Sequence, residues 1–71
     1  MAIKQKVSSR LFEHRRAITL TQEQLALQVD VTRQTIISIE KGNYVPSVLL
    51  AMKLAKACNV SVEEIFYYEN I

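Results

Sequence analysis

Apolar residues recur along the chain at spacings of three, four and seven, the period of helices that bury one face. Val7, Leu11 and Ile18 form one such stripe, flanked by Arg10, Arg15 and Arg16. It predicts a first helix beginning near Lys6 or Ser8 and ending at Ala17 or Ile18. Leu25 and Val29, with Ala26 beside them, mark the inner face of a second helix over 22–29. Ile36 and Ile39 do the same for a third over 33–41, and the Leu- and Ala-rich run 48–58 is a fourth. Thr21, Thr32, Ser47 and Ser61 each stand where a side-chain oxygen can accept the free N–H groups of a first turn. Leu20 and Leu25 occupy the two positions of a hydrophobic staple around Thr21. Ser61 has Glu64 three residues on, a capping-box spacing, which predicts a short fifth helix ending near Phe66 or Tyr67. Gly42 sits where a left-handed residue would close the third helix. Pro46 keeps 43–46 in a loop. Tyr68 to Ile71 form a tail of open conformation. Tyr67 to Asn70 also fits a strand, with Ile3 and Lys4 as candidate partners.

The expected fold class is therefore all-α: one five-helix domain over 1–71, with 67–71 as a candidate dimerisation tail. Seventy-one residues bury a core that is marginal alone and favours a partner chain. The single Cys58 excludes an internal disulfide, and with His14 it supplies too few soft ligands for a tetrahedral zinc site. No cofactor is implied. The longest apolar run, Val48 to Met52, is far too short for a bilayer. The opening residues MAIKQK lack a secretory signal's apolar core, so the expected location is cytoplasmic. Net charge is +2, unevenly placed: residues 1–41 carry seven Lys/Arg against four Asp/Glu, and 42–71 carry two against three. A nucleic-acid face opposite a protein-contact face fits that asymmetry, as does a solvated surface without a partner.

The chemistry concentrates between Thr21 and Gly42. Two short helices meet there through a turn too tight for an ordinary loop. The residue at their crossing must be small, and Ala26 is. The turn needs a residue tolerant of positive φ, and Asp30 is one of the few such side chains. At 100° per residue, Gln34, Ile37, Ser38 and Lys41 fall opposite Ile36 and Ile39, with Arg33 at the open N-terminal turn. Arg pairs bidentately with guanine, Gln with adenine, and Ile37 suits a thymine methyl. The free N–H groups at the helix N-terminus favour phosphate.

The segments Leu20-Thr21-Gln22-Glu23-Gln24-Leu25-Ala26, Val31-Thr32-Arg33-Gln34-Thr35-Ile36 and Ile39-Glu40-Lys41-Gly42 resemble the Xre-type helix-turn-helix family of phage repressors and Cro proteins. The likeness continues through Pro46-Ser47, Leu50, Leu54-Ala55 and Val62-Glu63-Glu64-Ile65-Phe66, covering about 7–66. It is to the short members without a separate sensing domain. The resemblance implies that the second and third helices enter the major groove of double-stranded DNA. It places base reading on Arg33, Gln34 and Ser38, with Ile37 nearby. Gln22 matches a position touching both phosphate and the recognition helix, and Thr32, Lys41 and Asn43 match backbone contacts. It also implies an ion pair between Arg15 and Glu40 that orients the first helix. Asp30 departs from the family's usual turn glycine, so strain or a side-chain hydrogen bond is expected there. Ser38 is shorter than the usual Gln or Lys.

Other readings stand beside these. Arg33 and Gln34 also suit a solvated helix face, and so do Lys6, Arg10 and Arg16, which are otherwise phosphate candidates. Cys58 reads as a small buried hydrophobe and His14 as a surface residue. No Ser/His/Asp, Cys/His or paired-carboxylate arrangement supports catalysis, so the catalytic set is empty. Leu27 lies opposite the Leu25–Val29 face, and Leu49 replaces a polar residue of the family pattern. Leu49, Ile65, Tyr67, Tyr68 and Ile71 are the candidate homodimer contacts. The expected function is a sequence-specific dimeric repressor on a palindromic operator, with no small-molecule effector. The alternative is an antitoxin or another protein-interaction module. A non-specific nucleoid protein is disfavoured by a net charge of only +2.

Overall fold

The computed structural model describes residues 4–70. A strand β1 (Gln5–Ser9) leads into five helices: α1 (Leu11–Ala17), α2 (Gln22–Val29), α3 (Arg33–Glu40), α4 (Val48–Cys58) and α5 (Val62–Ile65). A second strand, β2 (Phe66–Asn70), returns to pair antiparallel with β1, so the five-helix fold carries a two-stranded ribbon and is not all-α.

Every helix from α2 to α5 starts on the cap its sequence announces. Thr21 Oγ1 accepts the Gln24 N–H at 3.0 Å while Gln24 Oε1 accepts the Thr21 N–H at 2.9 Å, a complete capping box. Thr32, Ser47 and Ser61 accept from the N–H groups of Thr35, Leu50 and Glu64 at 3.3, 3.1 and 3.2 Å. α3 ends at Glu40, one residue short of the expected end, with Lys41 as its cap.

The ends of α1 to α4 share one device. A residue in the left-handed region follows the last turn, and the N–H after it bonds five residues back. Thr19 (φ 58°), Asp30 (φ 63°), Gly42 (φ 77°) and Asn59 (φ 58°) take that position. The closing bonds run from Leu20 to Arg15, Val31 to Ala26, Asn43 to Ser38 and Val60 to Ala55, at 2.9 to 3.3 Å. Asp30 thus adopts the conformation its turn was expected to require. Thr19 was not anticipated, because a β-branched side chain is poorly suited to positive φ.

Three expectations fail at the ends of the chain. The first helix begins at Leu11, not near Lys6 or Ser8. Ser8 and Ser9 favour local hydrogen bonds over helix continuation, and Ser9 Oγ accepts the Leu11 N–H at 3.0 Å. The four-residue spacing from Val7 to Leu11 is therefore a coincidence of strand and helix. Phe66 and Tyr67 are already strand, so α5 is a single turn. The candidate strand at Tyr67–Asn70 does form, but its partners are Gln5–Ser8 rather than Ile3 and Lys4, with Val7 opposite Tyr68. Ile3 lies outside the described residues.

Arg10 N–H donates to the Ile65 carbonyl at 2.7 Å, continuing the ladder one step past the Ser9–Phe66 pair. Antiparallel pairs alternate between hydrogen-bonded and open, so Val7 and Ser9 turn their N–H and C=O groups away from β2.

Leu11, Leu25, Val29, Ile36, Ile39, Leu54 and Ile65 are fully buried, with Cys58, Leu50 and Ala55 completing the core and Phe66 packed against its edge. Each such large side chain contributes about 1.5–3 kcal/mol. Ala26 is buried between α2 and its neighbours, as a close crossing requires. Replacing Thr19 by Gly relieves the left-handed strain at a surface position. The expected gain is about 0.5–1 kcal/mol, read as a higher urea midpoint at unchanged slope. A lower midpoint would place the α1 turn among unstrained conformations.

Candidate nucleic-acid interface

The outer face of α3 is assembled by the two turns that bracket it. Thr32 caps its start and hydrogen-bonds the Thr35 hydroxyl at 3.1 Å. Arg33 and Gln34 follow on the first turn, both exposed. Ile37 and Ser38, one turn further, are half-buried, and Lys41 and Asn43 are exposed beyond the C-terminus. Two open grooves flank the helix. One is lined by Arg33 together with Gln22, Thr21 and Phe12, which joins the start of α2 to the start of α3. The other is lined by Thr32, Gln34, Thr35, Ser38, Asn43 and Tyr44. Thr35 and Tyr44 were missed from sequence. Thr35 lies three residues from both Thr32 and Ser38, a helical spacing that pointed to the same face.

Beneath this face lies a polar knot. Arg15 Nε donates to Glu40 Oε2 at 2.5 Å and Arg15 Nη2 to Glu40 Oε1 at 3.2 Å. Gln22 Nε2 donates to the same Oε1 at 3.1 Å, and Arg15 Nη1 to the Leu20 carbonyl at 2.9 Å. The ion pair is almost wholly enclosed, with side-chain exposures of 8% and 6%. Gln22 thus contacts α3 through Glu40. Cys58 approaches from α4. Burial pushes its thiol above the ordinary range, while the Arg15 and Glu40 charges act on it in opposite senses. The thiol is thus held protonated at neutral pH.

The candidate dimer residues separate. Tyr68 and Leu49 are exposed, as is Leu27. Tyr67 is half-buried, its ring 3.9 Å below the Arg10 guanidinium. Ile65 is fully buried in its own core and is not available to a partner. Ile71 lies outside the described residues. His14 is half-buried rather than a free surface residue, with Nε2 3.0 Å from the Glu64 carbonyl. Val48, Met52 and Val45 are also exposed, and the sequence did not mark them.

Among the described residues, no group of three or more His, Cys, Asp or Glu side chains could hold a metal ion. No helix among the described residues is long and apolar enough to cross a membrane.

Two short helices held at a tight left-handed turn, with the second helix's polar face outward, define a helix-turn-helix protein. Residues 11–65 match the helix-turn-helix family pattern. A helix-turn-helix-type transcriptional regulator of Methanocaldococcus jannaschii is 50% identical over 64 residues, spanning 90% of this chain and 97% of that one. The regulator YgzD of Bacillus subtilis is 44% identical over 63 residues, spanning 89% and 96%. Among solved structures, the restriction-modification controller protein C.AhdI from Aeromonas hydrophila superposes with a TM-score of 0.72 at 34% identity, covering 78% and 80% of the two chains. The chain belongs to the Xre-type helix-turn-helix family of DNA-binding transcriptional regulators.

Removing one partner of the buried pair strands the other charge. Glu40→Leu is expected to cost about 3–5 kcal/mol in urea unfolding. The double variant Arg15→Met, Glu40→Leu should recover most of that loss. Equal losses in the single and double variants would show that packing, not the stranded charge, sets the cost.

Proposed function

We propose that this protein represses transcription by binding a palindromic operator as a homodimer, in the cytoplasm, with α3 in the major groove. The observation that carries this reading is the outer face of α3: Arg33 and Gln34 project into solvent from a first turn fixed by the Thr32 cap. Those two side chains read base edges, Arg33 favouring guanine and Gln34 adenine. Ser38 and Ile37 read the next bases along the groove. Gln22, Thr32, Lys41 and Asn43 hold the sugar-phosphate backbone and set the register. One such helix covers a half-site, so a two-fold partner is needed one helical turn away, about 34 Å. Leu49, Tyr67 and Tyr68 are the candidate contacts for that partner.

A second reading has its own observation. Leu27, Val48, Leu49 and Met52 are large apolar side chains, each more than half exposed. A partner protein covering them would make DNA binding secondary, as in an antitoxin. The likeness to a controller protein favours the regulator reading.

Selection of bound duplexes from a random pool at near-physiological salt tests this. A palindrome with half-sites about one turn apart is expected. Arg33→Ala and Gln34→Ala should each relax preference at one base pair per half-site, by about 1–3 kcal/mol, with the helical content unchanged. Unchanged preference in both variants would move base reading off this face. No enrichment from folded protein would favour the protein-interaction reading.

A further inference from the structure

β1 and the loop after α3 border one polar recess. It is lined by residues 6–9 of β1 and by residues 40–43 at the end of α3 and in the loop after it. No residue of β2 lines it, so the recess lies along the open edge of β1. The outward N–H and C=O groups of Val7 and Ser9 face that edge. Lys6 and Lys41, both exposed, thus bring two positive charges to one recess.

The acid in its lining does not neutralise them. The Glu40 carboxylate already accepts three hydrogen bonds, from Arg15 and Gln22, and is almost wholly enclosed. Lys6 has an acidic neighbour in Glu69, 3.9 Å away, but the two side chains are 57% and 47% exposed. A solvated pair at that separation is weak and readily exchanged. Glu69 also accepts the Ser8 hydroxyl, so its carboxylate is shared between two partners on one face of the ribbon.

We propose that this recess binds one backbone phosphate of the DNA duplex, adding β1 to the surface that grips DNA. The inference rests on the DNA-binding reading above, since Lys41 and Asn43 belong both to that backbone contact and to the recess wall. A phosphate seated there lies just beyond the C-terminal end of α3, on the strand flanking the bases it reads. Lys6 supplies charge from a segment outside the helix-turn-helix, and the contact carries no sequence information.

Salt dependence separates this site from a structural role. Each neutralised phosphate contributes about 0.9 to the slope of log affinity against log salt. Lys6→Gln should lower the slope by about 0.9 per bound protomer, using the duplex recovered by selection. Its affinity deficit should then change about threefold per protomer between 50 and 200 mM salt. Base preferences should stay as in the wild type, and Lys6→Arg should restore the slope. Glu69→Gln breaks the ribbon ion pair from its other side and should leave the slope no shallower. An unchanged slope in Lys6→Gln overturns the proposal while leaving the DNA-binding reading intact. Equal losses in Lys6→Gln and Glu69→Gln overturn it in favour of a role in ribbon pairing. Failure of the wild-type protein to bind any duplex removes the reading on which the site rests.

Discussion

The position of α3 depends on one buried ion pair. Arg15 reaches from α1 to Glu40 at the end of α3, and its remaining N–H groups include a bond to the Leu20 carbonyl in the joint before α2. Gln22 ties the start of α2 to the same carboxylate. Three helices are thus referred to one pair of oxygens. Desolvating both charges offsets much of their attraction, so the pair adds little net stability. What it supplies is direction. An apolar contact tolerates sliding by a methyl group, whereas a bidentate guanidinium–carboxylate contact fixes both distance and angle. The outer face of α3 inherits that definition.

The helix ends do the rest of the positioning. Helices of seven to eleven residues cannot hold themselves together in water, so their orientation is set by packing and by the turns that join them. Left-handed residues at Thr19, Asp30, Gly42 and Asn59 turn the chain within a few residues and satisfy carbonyls that would otherwise be left open. Only one of the four is glycine. At Asp30 the cost of a side chain in that region falls inside the helix-turn-helix itself, where the angle between α2 and α3 decides how the outer face of α3 projects.

Much of this was legible because it is local. Caps at Thr21, Thr32, Ser47 and Ser61, the left-handed Asp30 and Gly42, and the inward Ile36 and Ile39 follow from residue types a few positions apart. The exposed Leu27 follows from the helical period alone. The ribbon was not legible in the same way. Gln5 and Asn70 are 65 positions apart, and pairing across that distance leaves no local pattern to read. Val7 was misread for the same reason: its spacing to Leu11 imitates a helix, while its true neighbour is Tyr68. Ile65 has the right chemistry for an interface, and only three-dimensional packing shows that its own core claims it. The Arg15–Glu40 pair entered through the family resemblance, since nothing in a 25-residue separation selects those two charges. Thr19 carries no signal, because its residue type argues against the conformation it adopts.

The ribbon then changes how the ends of the chain relate to its reading surface. A two-stranded sheet is marginal alone, and this one is anchored at its base. Arg10 binds the Ile65 carbonyl and covers the Tyr67 ring, and His14 binds the Glu64 carbonyl, so α1 holds α5 and β2 together. The same ribbon lays β1 alongside the loop that follows α3. The C-terminal strand is therefore separated from the flank of α3 by a single intervening strand. Tyr68 lies opposite Val7, and β1 in turn borders the surface beside Lys41. Tyr68 and the flank of α3 are thus separated only by the ribbon's own width, two strands or roughly 10 Å.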